Sequence, residues 1–465
     1  MNPRVRFAPS PTGQLHIGGA RTALFNFLFS RKNNGQFLVR IEDTDMERSK
    51  KEHVDQICDS VEWLGLNWDE ELVFQSQRTD VYRSVIDELL ESGKAYRCFC
   101  SKAELAEIRG KTGSYLYTGI WRDRDPADIK TELEKGTPFT VRLKTSQDGA
   151  TAFNDTIYGS ISVENSELDD FIIARSDFSP VYNLVVVVDD HEMGITHVIR
   201  GEDHISNTPK HIQIFQALGW KIPNFAHLPM ILGSDKKRLS KRHGAAGVQS
   251  YRDEGYQPAA LLNYLAFLGW NPNTDEEIMT LDDLIHKFDL GQVNKKAAVF
   301  DIKKLNWVSG QHLAMQPGGD ILENVRRIEP DWGADKATEY NLSVIELMGI
   351  RSTSLKELME KSVFFYSDPV TYLQDDMDKV WKDDSHETLN AIKSLISDTV
   401  DWQASALENC IKKFLTENSL GFGRAMKPLR LALCGMVDGP SLFDVMELLG
   451  KESCLLRIDN ALSKL

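Results

Sequence analysis

Residues 4–28, RVRFAPSPTGQLHIGGARTALFNFL, decide the fold, because they change period partway along. Residues 4–8 (RVRFA) alternate as a short strand does, and SPTG at 10–13 is turn chemistry. From Gly19 the spacing becomes helical, with Leu24, Phe27 and Leu28 on one face. Working outward, FLVRIEDTD (37–45) reads as a second strand ending in acids. Val54, Ile57, Val61 and Leu64 then mark an amphipathic helix. Strand, helix, strand, helix predicts a parallel α/β sheet.

From about residue 80 to 181 this rhythm breaks. Helical patterns (VYRSVIDELLESGKAY) and strand patterns (FTVRLK, IYGSISV) alternate with polar turns, as an insertion would. The run VYNLVVVVDD (181–190) then predicts a buried parallel strand. ITHVIRGED (195–203) predicts another, and NTPKHIQIFQALG (207–219) a helix with Pro209 near its first turn. Beyond about 310 strand patterns stop. MQPGGD (315–320) reads as a linker, and helical spacing follows, as at Leu407, Cys410, Ile411 and Phe414. The expected fold class is an α/β, Rossmann-type parallel sheet split by an inserted α/β module and followed by an all-α C-terminal region.

The chain has 465 residues, 42% hydrophobic and 26% charged, with a formal net charge of −15. Such a composition is that of a soluble globular protein and argues against non-specific coating of nucleic acid. No apolar run reaches the ~18 residues of a membrane span, and MNPRVRFAPSPTG lacks the apolar core of a secretory signal. Six scattered cysteines suit a reducing, cytoplasmic setting.

Two segments suggest chemistry. At the strand-to-helix junction, Gly18 and Gly19 let backbone approach a ligand, and the helix N-terminus favours an anion. His16 stands ready to donate to a phosphate oxygen. The junction is neither a Walker loop nor a dinucleotide fingerprint; alone, it reads equally well as a plain turn with a surface histidine. The second segment, KKRLSKRHG (236–244), concentrates cations in an acidic chain. Such runs are usually solvated, but a loop lysine over a triphosphate would stabilise charge developing on departing pyrophosphate.

Together these segments resemble the HIGH and KMSKS signatures of class I aminoacyl-tRNA synthetases. RFAPSPTG, RIEDTD, VVVDDH, VIRGEDHISNTP and LSKRHG further resemble bacterial glutamyl-tRNA synthetases, from residue 3 to about 310 and more weakly beyond. The resemblance implies ATP-dependent activation of L-glutamate and transfer to the 2′-hydroxyl of the terminal adenosine of tRNA-Glu. It implies His16 and Lys241 as catalytic groups. ATP would be held by Pro9, Thr12, His16, Gly18, Gly19, Asp203, Leu239, Ser240 and Lys241, with Mg²⁺ accompanying it. Glutamate would meet Arg6, Ala8, Ser10, Glu42, Tyr182 and Arg200, where the planar fork of arginine suits carboxylates. Arg351, in GIRSTSLKEL, would contact the anticodon from an exposed helix.

The implied organisation is a catalytic domain in two halves (1–80 and 182–243) and an acceptor-stem-binding insert (81–181). A helical stem-contact domain (244–315) and an anticodon-binding domain (320–465) complete it. A cytoplasmic monomer with no membrane partner fits the family. Many members hold zinc through C-x-C and a later C-x-[CH]. Here Cys98 and Cys100 match the first pair, but YTGIWRD puts Trp121 and Asp123 at the second, so zinc is not expected.

The nearest alternative is a glutaminyl-tRNA synthetase, disfavoured by the all-α C-terminus. A short relative that glutamylates a modified tRNA base would lack that region, and a small HxGH adenylyltransferase would not need it. A non-catalytic tRNA-binding paralogue is disfavoured by intact His16, Lys241, Arg6 and Arg200.

Overall fold

The computed structural model describes residues 2–45, 49–113, 116–239 and 247–465. Ser240 and Lys241 lie outside the described residues. The chain divides into two compact units, Met1–Ser250 with Leu261–Ile302, and Tyr251–Ala260 with Lys303–Leu465.

The first unit opens with β1 (Arg4–Phe7), α1 (Ile17–Lys32), β2 (Gln36–Ile41), α2 (Lys51–Trp63), β3 (Val73–Phe74) and α3 (Thr79–Glu91). β1, β2 and β3 are parallel neighbours, with Val5 opposite Phe37 and Ile41 opposite Phe74. Helix α1 is buried on several sides: Ile17, Leu24, Phe25 and Leu28 have no more than 1% of their surface exposed. Each such side chain stabilises the fold by roughly 1.5–3 kcal/mol.

Next come β4 (Ala95–Cys98), α4 (Lys102–Thr112), α5 (Pro126–Glu134), β5 (Thr140–Leu143), β6 (Ala150–Asp155), β7 (Gly159–Glu164) and β8 (Ile172–Ala174). β4, β5 and β8 form an antiparallel sheet of their own. The β6–β7 hairpin does not belong to it. Through Asp155 opposite Phe225, β6 pairs with the parallel strand β10 described below. Residues 150–164 therefore extend the edge of the sheet that holds β10, while β4, β5 and β8 stay in a sheet of their own.

The run at 181–190 is not a strand but α6 (Tyr182–Glu192). A short apolar run fits a buried helix as well as a buried strand. Here Leu184 through Val188 are all buried, so the helix is covered all round. The acids ending the run, Asp189 and Asp190, are buried too, and arginines meet both. The sheet resumes with β9 (His197–Gly201), α7 (Thr208–Ala217), β10 (Asn224–Leu228) and β11 (Ile231–Leu232). β9 and β10 run parallel, Arg200 opposite His227, and Thr196 N donates to Arg4 O at 2.9 Å, stitching the β9 side to β1.

After α8 (Val248–Asp253), α9 (Pro258–Phe267) and α10 (Leu281–Lys287), β12 (Ala298–Val299) pairs with β11. The second unit is helical: α11 (Ile302–Met315), α12 (Gly318–Ile328), α13 (Thr338–Gly349), α14 (Leu355–Ser362), α15 (Gln374–Val380), α16 (Ser385–Asp398), α17 (Ala404–Glu417), α18 (Phe422–Cys434), α19 (Leu442–Leu449) and α20 (Lys451–Lys464). Its core includes Leu389, Ile392, Leu407, Ile411, Leu429 and Ile458. The stretch read as a linker is a tight joint between α11 and α12, with Pro317 capping the latter. Arg351 is exposed in the turn between α13 and α14 rather than on a helix. Among the described residues no helix is long and apolar enough to cross a membrane.

Candidate active site

The exit of β1 leads straight to the N-terminus of α1, where His16 is the cap. Its Nδ1 accepts from Gly19 N at 2.9 Å. With Nδ1 used as acceptor, the ring proton sits on Nε2, free to donate outward. Burial lowers the His16 pKa and Arg238 lowers it further against Asp203, which keeps the ring neutral. A Cβ at Gly19 would lie 2.9 Å from Leu15 Cδ1, so a larger residue there would displace the end of that side chain. The first turn carries no acid while Arg31 and Lys32 occupy the last, so the helix dipole at its start is open to an anion.

Both described ends of the cationic loop return to this place. On one side Arg238 bridges to Leu232, and its guanidinium lies 3.6 Å from Asp203. Leu239 N donates to Ile231 O at 3.0 Å. On the other, Gly247 bridges to His16 and Val248 N donates to Leu15 O at 2.8 Å. The segment carrying Ser240 and Lys241 thus leaves and rejoins the described fold beside His16.

A second cluster adjoins the first. Arg6, on β1, is 4% exposed and donates to Asp190 Oδ1 at 2.8 Å and Oδ2 at 3.3 Å. Arg40, on β2 and fully buried, bonds Asp190 at 2.7 Å and Glu42 at 3.3 Å. Burial would raise the Asp190 pKa, but Arg6 and Arg40 outweigh it and hold the carboxyl well below its usual range. Burial pushes Glu42 up, against the opposing pull of Arg40 and Arg6. Behind them Asp189 accepts from Arg78, Gln75 and Tyr82, each within 3.0 Å.

Arg200, on β9 and 6% exposed, differs from its neighbours. Its donors meet His227 Nε2 (3.2 Å), His211 Nδ1 (3.3 Å), His204 O (3.3 Å) and Thr208 Oγ1 (2.8 Å). Among the described residues no carboxylate lies within ion-pair distance of it. Burial lowers its pKa to about 10, still cationic near neutrality. Tyr182, the first residue of α6, bonds His204 Nδ1 at 3.0 Å. Burial and the nearby Glu42 push the Tyr182 phenol up to about 12, with Arg200, Arg6 and Asp190 also acting on it. Arg6, Glu42, Tyr182 and Arg200 thus lie close enough to act on one another electrostatically. Ala8, Pro9, Ser10 and Thr12 form the loop between β1 and α1, where Pro9 O accepts from Glu42 N at 3.0 Å. The 3₁₀ turn Glu202–Asn207 joins the two clusters, with Asp203 facing His16 and His204 facing Tyr182.

Sequence reading did not assign Arg40, Asp190, His211 or His227. The signal for Asp190 was an apolar run ending in two acids, an expensive place for charge without partners.

Cys98 and Cys100 occupy neither cluster. Cys98 Sγ donates to the Tyr117 hydroxyl at 3.4 Å, and Cys100 Sγ lies 3.8 Å from it. Trp121 N donates to the same oxygen at 3.0 Å, and the Trp121 ring packs on Phe99.

Residues 3–307 match the family described as tRNA synthetases class I (E and Q), catalytic domain, and residues 320–462 match the anticodon binding domain family. The chain belongs to the class I tRNA synthetases of this E and Q type. A glutamate–tRNA ligase of Lawsonia intracellularis is 44% identical, over 98% of this chain and 97% of its own length. One from Syntrophotalea carbinolica is 43% identical over 99% of both. The crystal structure of a glutamate tRNA ligase from Elizabethkingia meningosepticum, in complex with its amino acid, covers both chains fully at 34% identity and TM-score 0.90. Within the class, this chain is a member of the glutamate–tRNA ligase family.

Proposed function

We propose that the chain couples ATP cleavage to activation of L-glutamate and then transfers the glutamyl group to the 2′-hydroxyl of the terminal adenosine of tRNA-Glu. One observation carries the choice of amino acid: Arg200 is a buried cation held only by neutral groups. Around it, Arg6, Arg40 and Arg78 pair directly with Glu42, Asp189 and Asp190, whereas among the described residues no carboxylate pairs directly with Arg200, Asp155 being separated from it by the His227 ring. Glutamate, with two carboxylates and one ammonium, brings one net negative charge. Glutamine brings none.

In this reading Arg6 and Arg200 receive the carboxylates, Glu42 the ammonium, and Ala8, Ser10 and Tyr182 shape the pocket. The α-carboxylate oxygen attacks the α-phosphate of ATP, forming glutamyl-adenylate and releasing pyrophosphate. Positioning and charge stabilisation supply most of the rate. Neutral His16 donates from Nε2, and Gly18 and Gly19 bring backbone N–H groups to the nucleotide. Pro9, Thr12, Asp203 and Leu239 line its site, and the family resemblance assigns Ser240 and Lys241, outside the described residues, to the phosphates. The acid-free helix start and neutral His16 fit a triphosphate, whose charge Mg²⁺ bound to it would offset. The 2′-hydroxyl then attacks the activated carbonyl and AMP departs.

The remaining assignments follow the family. Residues 81–181 engage the acceptor stem, 244–315 the stem below it, and 320–465 the anticodon, Arg351 included, in a cytoplasmic monomer. ATP–pyrophosphate exchange with glutamate, glutamine or neither, with and without tRNA, tests the reading. Exchange requiring glutamate and cognate tRNA is expected. Exchange driven by glutamine would overturn it.

A further inference from the structure

The histidines around Arg200 are arranged in a way that the chemistry above does not require. A guanidinium only donates, so His211 must accept at Nδ1 and His227 at Nε2. Each ring then has one proton left, on its far nitrogen, and a partner waits for each. His211 Nε2 donates to Asn183 Oδ1 at 3.1 Å, and His227 Nδ1 donates to Asp155 Oδ2 at 2.7 Å. Both rings are buried, and each has its tautomer fixed on both sides. Adding a proton to either would set donor against donor. Thr208 Oγ1, fully buried at the start of α7, accepts a third bond from Arg200 at 2.8 Å.

The alternative was available. Asp155 is a buried carboxylate one imidazole away, and it points at His227 rather than at Arg200. A direct Arg–Asp pair would hold the guanidinium more firmly but would cancel its charge. Resting on the glutamate reading above, we propose that His211, His227 and Thr208 are positioning residues for amino-acid specificity. They immobilise Arg200 through neutral acceptors so that its charge remains for the substrate side-chain carboxylate.

The consequence is a dependence on charge at constant shape. His211→Asn and His211→Asp remove the same ring and differ only in whether a carboxylate faces Arg200. Steady-state aminoacylation by each full-length variant, with glutamate and with glutamine, is compared. The glutamate KM of the Asp variant is expected to exceed that of the Asn variant by about tenfold or more. Its preference for glutamate over glutamine in kcat/KM should narrow by a similar factor, with equal KM for ATP. A structural role alone would impair both variants alike, and equal glutamate KM values would overturn the proposal. Should the cavity at 211 prevent folding, Thr208→Asn and Thr208→Asp are read identically, since those two side chains match in size and differ in charge. A wild-type chain inert toward glutamate would instead overturn the functional reading, and this inference with it.

Discussion

Arg6 Nε lies 2.8 Å from Asp190 Oδ1, with both side chains almost wholly out of solvent. The same carboxylate binds Arg40 at 2.7 Å, so one acid on α6 fixes two arginines, from β1 and β2. Removing one partner of such a buried pair leaves charge uncompensated, at a cost of about 3–5 kcal/mol. Asp190→Asn should therefore lower the urea midpoint of unfolding substantially. Arg6 and Arg40 hold the Asp190 pKa below its usual range despite burial. Its contribution is thus complete above the ordinary aspartate pKa of ~3.9 and is lost as pH falls below it. The gap between wild type and variant should close in that acid range. A gap that stays constant down to about pH 3 would contradict the linkage.

The cationic loop gives the second prediction. Lys241→Ala should slow formation of glutamyl-adenylate by roughly 10²–10³, the usual effect of losing one donor that stabilises transition-state charge. The described ends of the loop lie beside His16, which supports a role there. A single-turnover rate near that of wild type would remove Lys241 from the chemistry.

His16 has two roles that can be separated. As helix cap it bonds Gly19 N, and His16→Asn keeps a good capping group while losing an imidazole donor placed to face phosphate. Stability should then change by no more than about 1 kcal/mol. The adenylation rate should fall roughly 10²-fold. If His16→Asn melts far lower yet adenylates normally, the histidine is structural.

Much of the fold was legible because strand and helix periods alternate cleanly through β1, α1, β2 and α2. Both signature segments could be recognised without structure, and Arg238 and Gly247, on either side of residues 240–246, lie beside His16. The misreading at 181–190 has a physical cause: an element buried on every side loses the periodicity that distinguishes helix from strand. Asp189 and Asp190 were legible as an anomaly, although which arginines met them depends on strands far away in sequence. The neutral surroundings of Arg200 were invisible for the same reason. His211 comes from α7, His227 from β10 and Asp155 from a hairpin, brought together only by the fold.

Arg200→Gln retains hydrogen-bonding capacity but removes the cation that no carboxylate pairs with directly. Its glutamate KM should rise roughly 10²-fold, as expected for deleting one side of a buried charge contact. The KM for ATP should change far less, because His16 and Arg238 lie in the other cluster. Equal losses for both substrates would make Arg200 a structural residue.

The last prediction concerns the cysteine pair. In a structural zinc site about four N or S ligands surround the ion. Here Trp121 and Asp123 stand at the later positions; Trp121 packs on Phe99, and Asp123 pairs with Lys144 at 2.7 Å. The Tyr117 hydroxyl instead collects Cys98, Cys100 and the Trp121 amide. Tyr117→Phe should then destabilise by about 0.5–1.5 kcal/mol, since part-buried polar groups lose their partner. A chelator should leave the melting temperature of the wild-type chain unchanged. Stoichiometric zinc in the purified protein, or a chelator-induced fall in that temperature, would show that the hydroxyl is not the group joining these segments.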